Sequence, residues 1–174
     1  SVRADLAGFA PRGTLSRGRV QWEGPNDAPT ALSGQADFAL VGVTAQGLLP
    51  GGTGFSGSIE FTPAGGTLKL QSRAATLDLP RVFALPIDLD RLDATATWER
   101  KDGATLVRLV SAEFANAHAS GQASGLYRTT AKGPGAIDLV AQLANAQVTE
   151  VHRYLPRWID AGTRDWLRRG LAKG

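Results

Sequence analysis

The chain has 174 residues, 43% of them hydrophobic and 20% charged, which is enough for one continuous folded body. Its 21 Gly and many Ala make the average apolar side chain small, so the core is expected to be thin. The lack of Cys excludes disulfides and thiolate metal sites and suits an oxidising compartment, while a formal net charge of +3 is modest, with Lys and Arg scattered along the strands and only the C-terminal stretch locally basic. No apolar run approaches the ~20 residues that span a bilayer, and no signal peptide is present. A chain that opens on Ser1 and contains no Met reads as a fragment of a longer protein, with any membrane anchor outside it.

The dominant signal along the chain is alternation with period two, the mark of strands with one apolar face. Val2 to Phe9 and Arg12 to Trp22 are the first predicted strands, the second interrupted at Gly18. From Ala31 to Leu40 the even positions Leu32, Gly34, Ala36, Phe38 and Leu40 are apolar, against Ser33, Gln35 and Asp37. Phe55, Gly57, Ile59 and Phe61 then oppose Ser56, Ser58 and Glu60, and Leu68 and Leu70 oppose Thr67, Lys69 and Gln71. Between them, Thr62 to Gly66 supplies the Pro and Gly of a hairpin turn.

Leu77 to Pro80 and Ile87 to Asp90 read as short edge strands beside Pro80 and Pro86. Leu92, Ala94, Ala96 and Trp98 form the next apolar row, closed by the Asp102-Gly103 turn signal. From Thr105 to Asn116 the alternation breaks, since Val107 and Leu109 lie opposite Leu106, Val110 and Phe114, and a central strand covered on both faces is expected. Small residues dominate one parity from Ala117 to Tyr127, and Ile137, Leu139, Ala141 and Leu143 mark the last strand. Near Gln147 the period changes. Thr149 and Glu150 start one short helix ended by Pro156, and Trp166, Leu167, Gly170 and Leu171 share the spacing of a second.

The expected architecture is therefore mainly β: a long curved antiparallel sheet, either a groove or an open sandwich of repeated units, over residues 1–147, with two short α-helices in 148–174. Strand ends Phe114-Ala115-Asn116-Ala117 and Leu143-Ala144-Asn145-Ala146 hint at repetition.

Candidate sites are few. Gly52-Thr53-Gly54-Phe55-Ser56-Gly57 matches the dinucleotide-binding glycine pattern, but a strand and not a helix follows, so a flexible turn is the better reading. Asp88, Asp90 and Asp93 lack the spacing and the glycine of a calcium loop and fit a wet strand face. His118 and His152 have no nucleophile or carboxylate arranged with them; the first fits a polar strand face, the second a helix surface. No catalytic, cofactor-binding or metal residues are assigned, and no enzyme is expected. The basic C-terminal stretch, with Arg153, Arg157, Arg164, Arg168, Arg169 and Lys173, suits a solvated helix face, with anionic headgroups or nucleic acid as the alternatives. The aromatics Trp22, Phe38, Phe55, Phe61 and Trp98 all sit on the apolar parity, in either an ordinary core or a ligand-holding groove; alternation does not separate the two.

Several pieces in order resemble a known family. Val20-Gln21-Trp22-Glu23-Gly24 leads into Ala31 to Leu40, followed by Leu49-Pro50-Gly51, Phe55-Ser56-Gly57 and Leu77-Asp78-Leu79-Pro80-Arg81-Val82-Phe83. Gly133-Pro134-Gly135 then precedes Ile137-Asp138-Leu139, and Arg153-Tyr154-Leu155-Pro156 and Trp166-Leu167 precede the terminal basic helix. Over nearly its whole length the chain is similar to the central region of the YhdP-type branch of the AsmA-like envelope proteins of Gram-negative bacteria. The resemblance implies a protein anchored in the inner membrane, whose periplasmic part is a curved stack of β units. Its apolar concave side would guide phospholipid acyl chains toward the outer membrane, without catalysis or cofactor. The expected lining is Phe38, Phe55, Ile59, Phe61, Leu68, Leu70, Trp98, Ile137 and Leu139. Expected partners are acyl chains, neighbouring β units of the same chain and envelope proteins, not nucleic acid. The alternative is a structural docking module whose apolar face is plain core.

Overall fold

A computed structural model describes residues 12–25, 30–45, 50–129, 135–157 and 159–171, with the side chains of 151–153, 164, 167, 168 and 171 outside that description. The predicted Val2–Phe9 strand, the side chain of His152 and the turn residues Lys132 to Pro134 fall outside the described residues.

Eight strands follow one another as a meander: β1 (Arg12–Glu23), β2 (Ala31–Val43), β3 (Gly51–Thr62), β4 (Gly65–Asp78), β5 (Ile87–Lys101), β6 (Ala104–Ala115), β7 (Ser120–Arg128) and β8 (Ala136–Ala144). Each pairs antiparallel with the next, in one open sheet whose spatial order equals its chain order. The turns are short where the sequence carries turn chemistry. Asp102 and Gly103 both take positive φ, 53° and 76°, as a tight hairpin requires. After β8 come a 3₁₀ helix (Val148–Tyr154) and α1 (Ala161–Leu171). The first of the two predicted α-helices is thus a 3₁₀ helix. Its N-cap is Gln147, which makes no side-chain capping bond.

A second sheet layer is absent among the described residues, so the sandwich alternative gives way to a single open sheet. The accessible area of 11919 Å² agrees with that. A compact monomer of 18.3 kDa has ~8,100 Å². Five described hydrophobic side chains are buried: Phe55, Ala75, Leu89, Leu92 and Ala119. The first, second, third and fourth of these form one cluster, against which Phe38, Val43, Leu70, Leu77, Ile87, Ala94 and Phe114 pack. All of these are strand residues of the same sheet. A single sheet hides side chains this completely only where it curls over them, so the sheet bends around this cluster.

Bulges in a band across the strands accompany that bend. Ser16 is an extra residue in β1 relative to β2, and Leu40 is an extra residue in β2 relative to β3. Further along, β4 carries two residues more than β3 between the Gly57↔Leu70 and Thr53↔Thr76 pairs, and Val110 is extra in β6. Leu40 and Ala74 are held at positive φ, 54° and 56°. Serine hydroxyls replace ladder bonds that the bulges break. Ser16 Oγ donates to the Asp37 carbonyl, the Leu40 amide donates to Ser56 Oγ, and the Ser56 amide donates to Ser72 Oγ. Ser72 Oγ also donates back to the Ser56 carbonyl at 3.3 Å, and Ser72 is fully buried.

The bulges correct several sequence expectations. Leu40 belongs to the apolar parity by number, yet as the bulge residue it is 70% exposed, and Val43 packs on the core in its place. β6 is not covered on both faces. Val110 inserts between Leu109 and Ala112, so Val107 and Leu109 share a face with Ala112 and Phe114 although their numbers differ in parity. Irregularity in β1 lies near Gly13 and Ser16, not at Gly18. Leu77 and Ile87 are not in edge strands; they pair with each other at the ends of β4 and β5, the longest strands of the sheet. The segment Gly52 to Gly57 is no turn but the first half of β3, where glycine allows φ of 146° and 77° at Gly52 and Gly54.

Candidate functional site

Three rows of directly opposed residues run across the strands at and above the bulge band, the Val110 bulge of β6 falling between the first row and the second, and opposed residues share a face. The row nearest the band is Phe38, Gly57, Leu70, Ala94, Ala112, Ala123 and Ala141. The next is Ala36, Ile59, Leu68, Ala96, Leu109, Gly125 and Leu139. The third is Gly34, Phe61, Gly66, Trp98, Val107, Tyr127 and Ile137. Eight of the nine expected lining residues lie in these rows, and Phe55 lies just below them in the buried cluster. The register therefore brings all nine to one face. Of that cluster, sequence reading put Leu92 on the apolar row, assigned Leu89 to a short edge strand and did not single out Ala75; it also set Leu109 opposite Phe114, because the β6 bulge inverts the parity between them.

The aromatics lie flat. A Cβ built on Gly34 would meet Phe61 Cζ at 3.1 Å, and one on Gly121 would meet Phe114 Cζ at 2.7 Å. A Cβ on Gly66 would likewise run into the Trp98 ring. Each ring thus covers the glycine backbone of a neighbouring strand, which satisfies the ring's need for contact without a second layer and keeps the face low in relief. Toward β8 the cover fails: Ile137, Leu139 and Leu143 are 72%, 53% and 47% exposed. Trp22 and Val20 on β1 are 55% and 54% exposed, so both flanks of the face are open to solvent.

The opposite face is polar and internally paired. Arg91 bridges Asp93 and Glu113 at 3.1 and 2.8 Å, and Arg73 reaches Asp93 at 3.3 Å, making a charge chain across β4, β5 and β6. Gln122 and Gln142 bond across β7 and β8. Asp93 is therefore an ion-pair partner and Asp88 accepts from the Thr76 hydroxyl, which accounts for two of the three aspartates weighed as calcium ligands. Among the described residues no group of three His, Cys, Asp or Glu is arranged to hold a metal.

At the strand ends, Asn116 ties three elements together. Its amide donates to the Asp88 carbonyl and to Tyr154 Oη, and its Oδ1 accepts from the His118 and Ala119 amides. The segment after β8 is thereby strapped along this edge, and Arg157 extends the strap by donating to the carbonyls of Val82 and Pro80. His118 sits in this β6–β7 turn, not on a strand face, beside a cavity of about 260 Å³ shared with Asp88, Asp90 and Tyr154. Its Nδ1 is buried without a hydrogen-bond partner. Among the described residues no Ser, Thr, Lys or Cys lines that cavity. The Asn145 that repeats Asn116 in sequence also ends a strand at this edge, at φ 53°.

Asp160 begins α1 by accepting from the Thr163 amide at 2.9 Å. Hydrogen bonds from the Thr163 side chain and amide hold its carboxyl below the usual aspartate range. No described helix is long and apolar enough to cross a membrane.

No curated protein and no solved structure matches the chain. A family model does, described as YhdP protein and aligned over residues 1–174. With an open antiparallel sheet, one apolar face and the ordered motifs noted above, the chain belongs to the YhdP family of AsmA-like bacterial envelope proteins.

Proposed function

We propose that the apolar face of this sheet is a section of a groove that carries phospholipid acyl chains across the periplasm between inner and outer membrane, in support of outer-membrane integrity. The observation that carries the reading is an apolar face of three cross-strand rows over which the described residues place no second layer. Lipid tails need a dry surface longer than a pocket, and each CH₂ removed from water contributes about 0.8 kcal/mol. Many weak and similar contacts let a tail slide, where a few directed hydrogen bonds would fix it. The alanines of the row nearest the bulges leave depth for a tail between Leu109 and Leu139 on one side and Phe114 and Leu143 on the other. The protein works in this reading as a conduit without chemistry or cofactor, on the periplasmic side of an inner membrane to which another part of the chain anchors it.

Continuity requires neighbours. Among the described residues β1 and β8 are exposed along their whole length and each pairs with one strand only, so further β units of the same chain are the partners this reading needs. The same open flanks favour the second reading, a docking module for another envelope protein.

Native mass spectrometry of the purified chain should find co-purified phospholipid. Photo-crosslinkers placed at Leu68 and Leu139 in cells should give lipid adducts; protein adducts alone at both positions would sink the conduit and favour the docking module.

A further inference from the structure

The sheet and the segment after it differ in charge. Five of the 19 Lys and Arg and two of the 16 Asp and Glu fall in residues 157–174, which leaves fourteen of each before them. The formal +3 therefore resides wholly in the last eighteen residues, most of which are α1. On that helix Trp166 is 69% exposed, and the Arg169 side chain is 77% exposed, donating from Nε to the Asp165 carbonyl at 3.4 Å and approaching the Asp165 carboxylate at 4.0 Å. Cations near a helix C-terminus are favoured by the macrodipole alone, which accounts for Arg168 and Arg169. It gives no reason for an indole left in water beside them. An exposed tryptophan on a short cationic amphipathic helix is the composition of an element that lies in the headgroup layer of a membrane, with the ring at the boundary of headgroups and acyl chains.

We propose that α1 is a docking surface for an anionic phospholipid bilayer, with Trp166 entering the interface and the surrounding arginines meeting lipid phosphates. Charge complementarity selects the partner: a segment of net +3 beside a sheet of net zero is drawn to an anionic surface, and each cation near it strengthens binding by about fivefold at low salt. The inference goes beyond the groove reading and uses other residues, so either can fail alone.

The test is co-sedimentation of the 174-residue chain with vesicles of phosphatidylcholine alone and of phosphatidylcholine with a quarter phosphatidylglycerol. Binding to the anionic vesicles should exceed binding to neutral ones by at least about tenfold and should fall by a similar factor in 0.5 M salt. The double variant Arg168→Glu/Arg169→Glu should weaken it about as much, and Trp166→Ser several-fold, the latter with an unchanged urea midpoint because Trp166 is exposed. Equal binding to both vesicle types, unchanged binding in the double variant, or tighter binding to a DNA duplex than to anionic vesicles would overturn the proposal. Phospholipid retained by the chain in native mass spectrometry reads the sheet separately.

Discussion

Below the bulge band and toward β8, the same alternation has two outcomes. Phe55, Leu89 and Leu92 are 8%, 3% and 7% exposed, whereas Ile137, Leu139 and Leu143 keep roughly half or more of their surface in water. Phe55 and Leu92, like Ile137, Leu139 and Leu143, sit on the apolar parity of their strands, while Leu89 falls on the other parity of β5 and pairs with Ala75. What differs is curvature. The sheet closes over the first set through its bulges and lets the second lie open at an edge. Apolar parity thus reports which face a residue takes, and only the backbone's bend reports whether that face is covered.

The largest effect expected from this contrast is on stability. Phe55→Ala removes a ring packed within the cluster and should cost about 3 kcal/mol or more, as large-to-small core changes do. Leu139→Ala, with more than half its side chain already wet, should cost less than about 1 kcal/mol. Urea unfolding of the two variants measures the gap. Similar losses would mean that the β8 flank is covered in solution and that the two regions are one core.

Much of this organisation is legible in the residues. Gly-containing turns at Thr62–Gly66 and Asp102–Gly103 place two hairpins, and clean alternation in β2, β3, β5 and β8 identifies the face on which all the expected lining residues lie. The bulges are not legible, because one added residue leaves composition unchanged while inverting every parity after it. Leu40 and Val110 are the cases: both are apolar, both fall where alternation reads as sound or merely ragged, and both turn out of the face at 70% and 49% exposure. Nor does any local pattern separate Leu77 and Ile87 at the ends of long strands from short edge strands. The 79–86 connection between them breaks the run without breaking the pairing.

A smaller effect is expected at the bend itself. Ser72 is the one buried polar side chain among the described residues, and its hydroxyl serves both the amide and the carbonyl of Ser56 where the β3–β4 ladder is interrupted. Ser72→Ala leaves those backbone groups without a partner in a place water does not reach, a loss of about 1–3 kcal/mol. Amide hydrogen exchange should locate it: Ser56 should lose protection ahead of the cluster residues. Unchanged exchange at Ser56 would show that the serines decorate the bend and do not hold it.

The smallest expected change has the opposite sign. Ala74 sits at φ 56° inside the β4 bulge, a conformation that costs an L-residue with a Cβ roughly 1–2 kcal/mol and glycine almost nothing. Ala74 is exposed, so removing its methyl group forfeits little packing. Against the relief stands the greater freedom that glycine gives the unfolded chain, up to about 1 kcal/mol. Ala74→Gly should therefore stabilise the fold by a few tenths of a kcal/mol, read as a small rise in the urea midpoint. A clear loss would mean that the methyl group supports the bend. Rigidity at the bulge would then matter more than its backbone strain in keeping the lower half of the face closed and the upper half open.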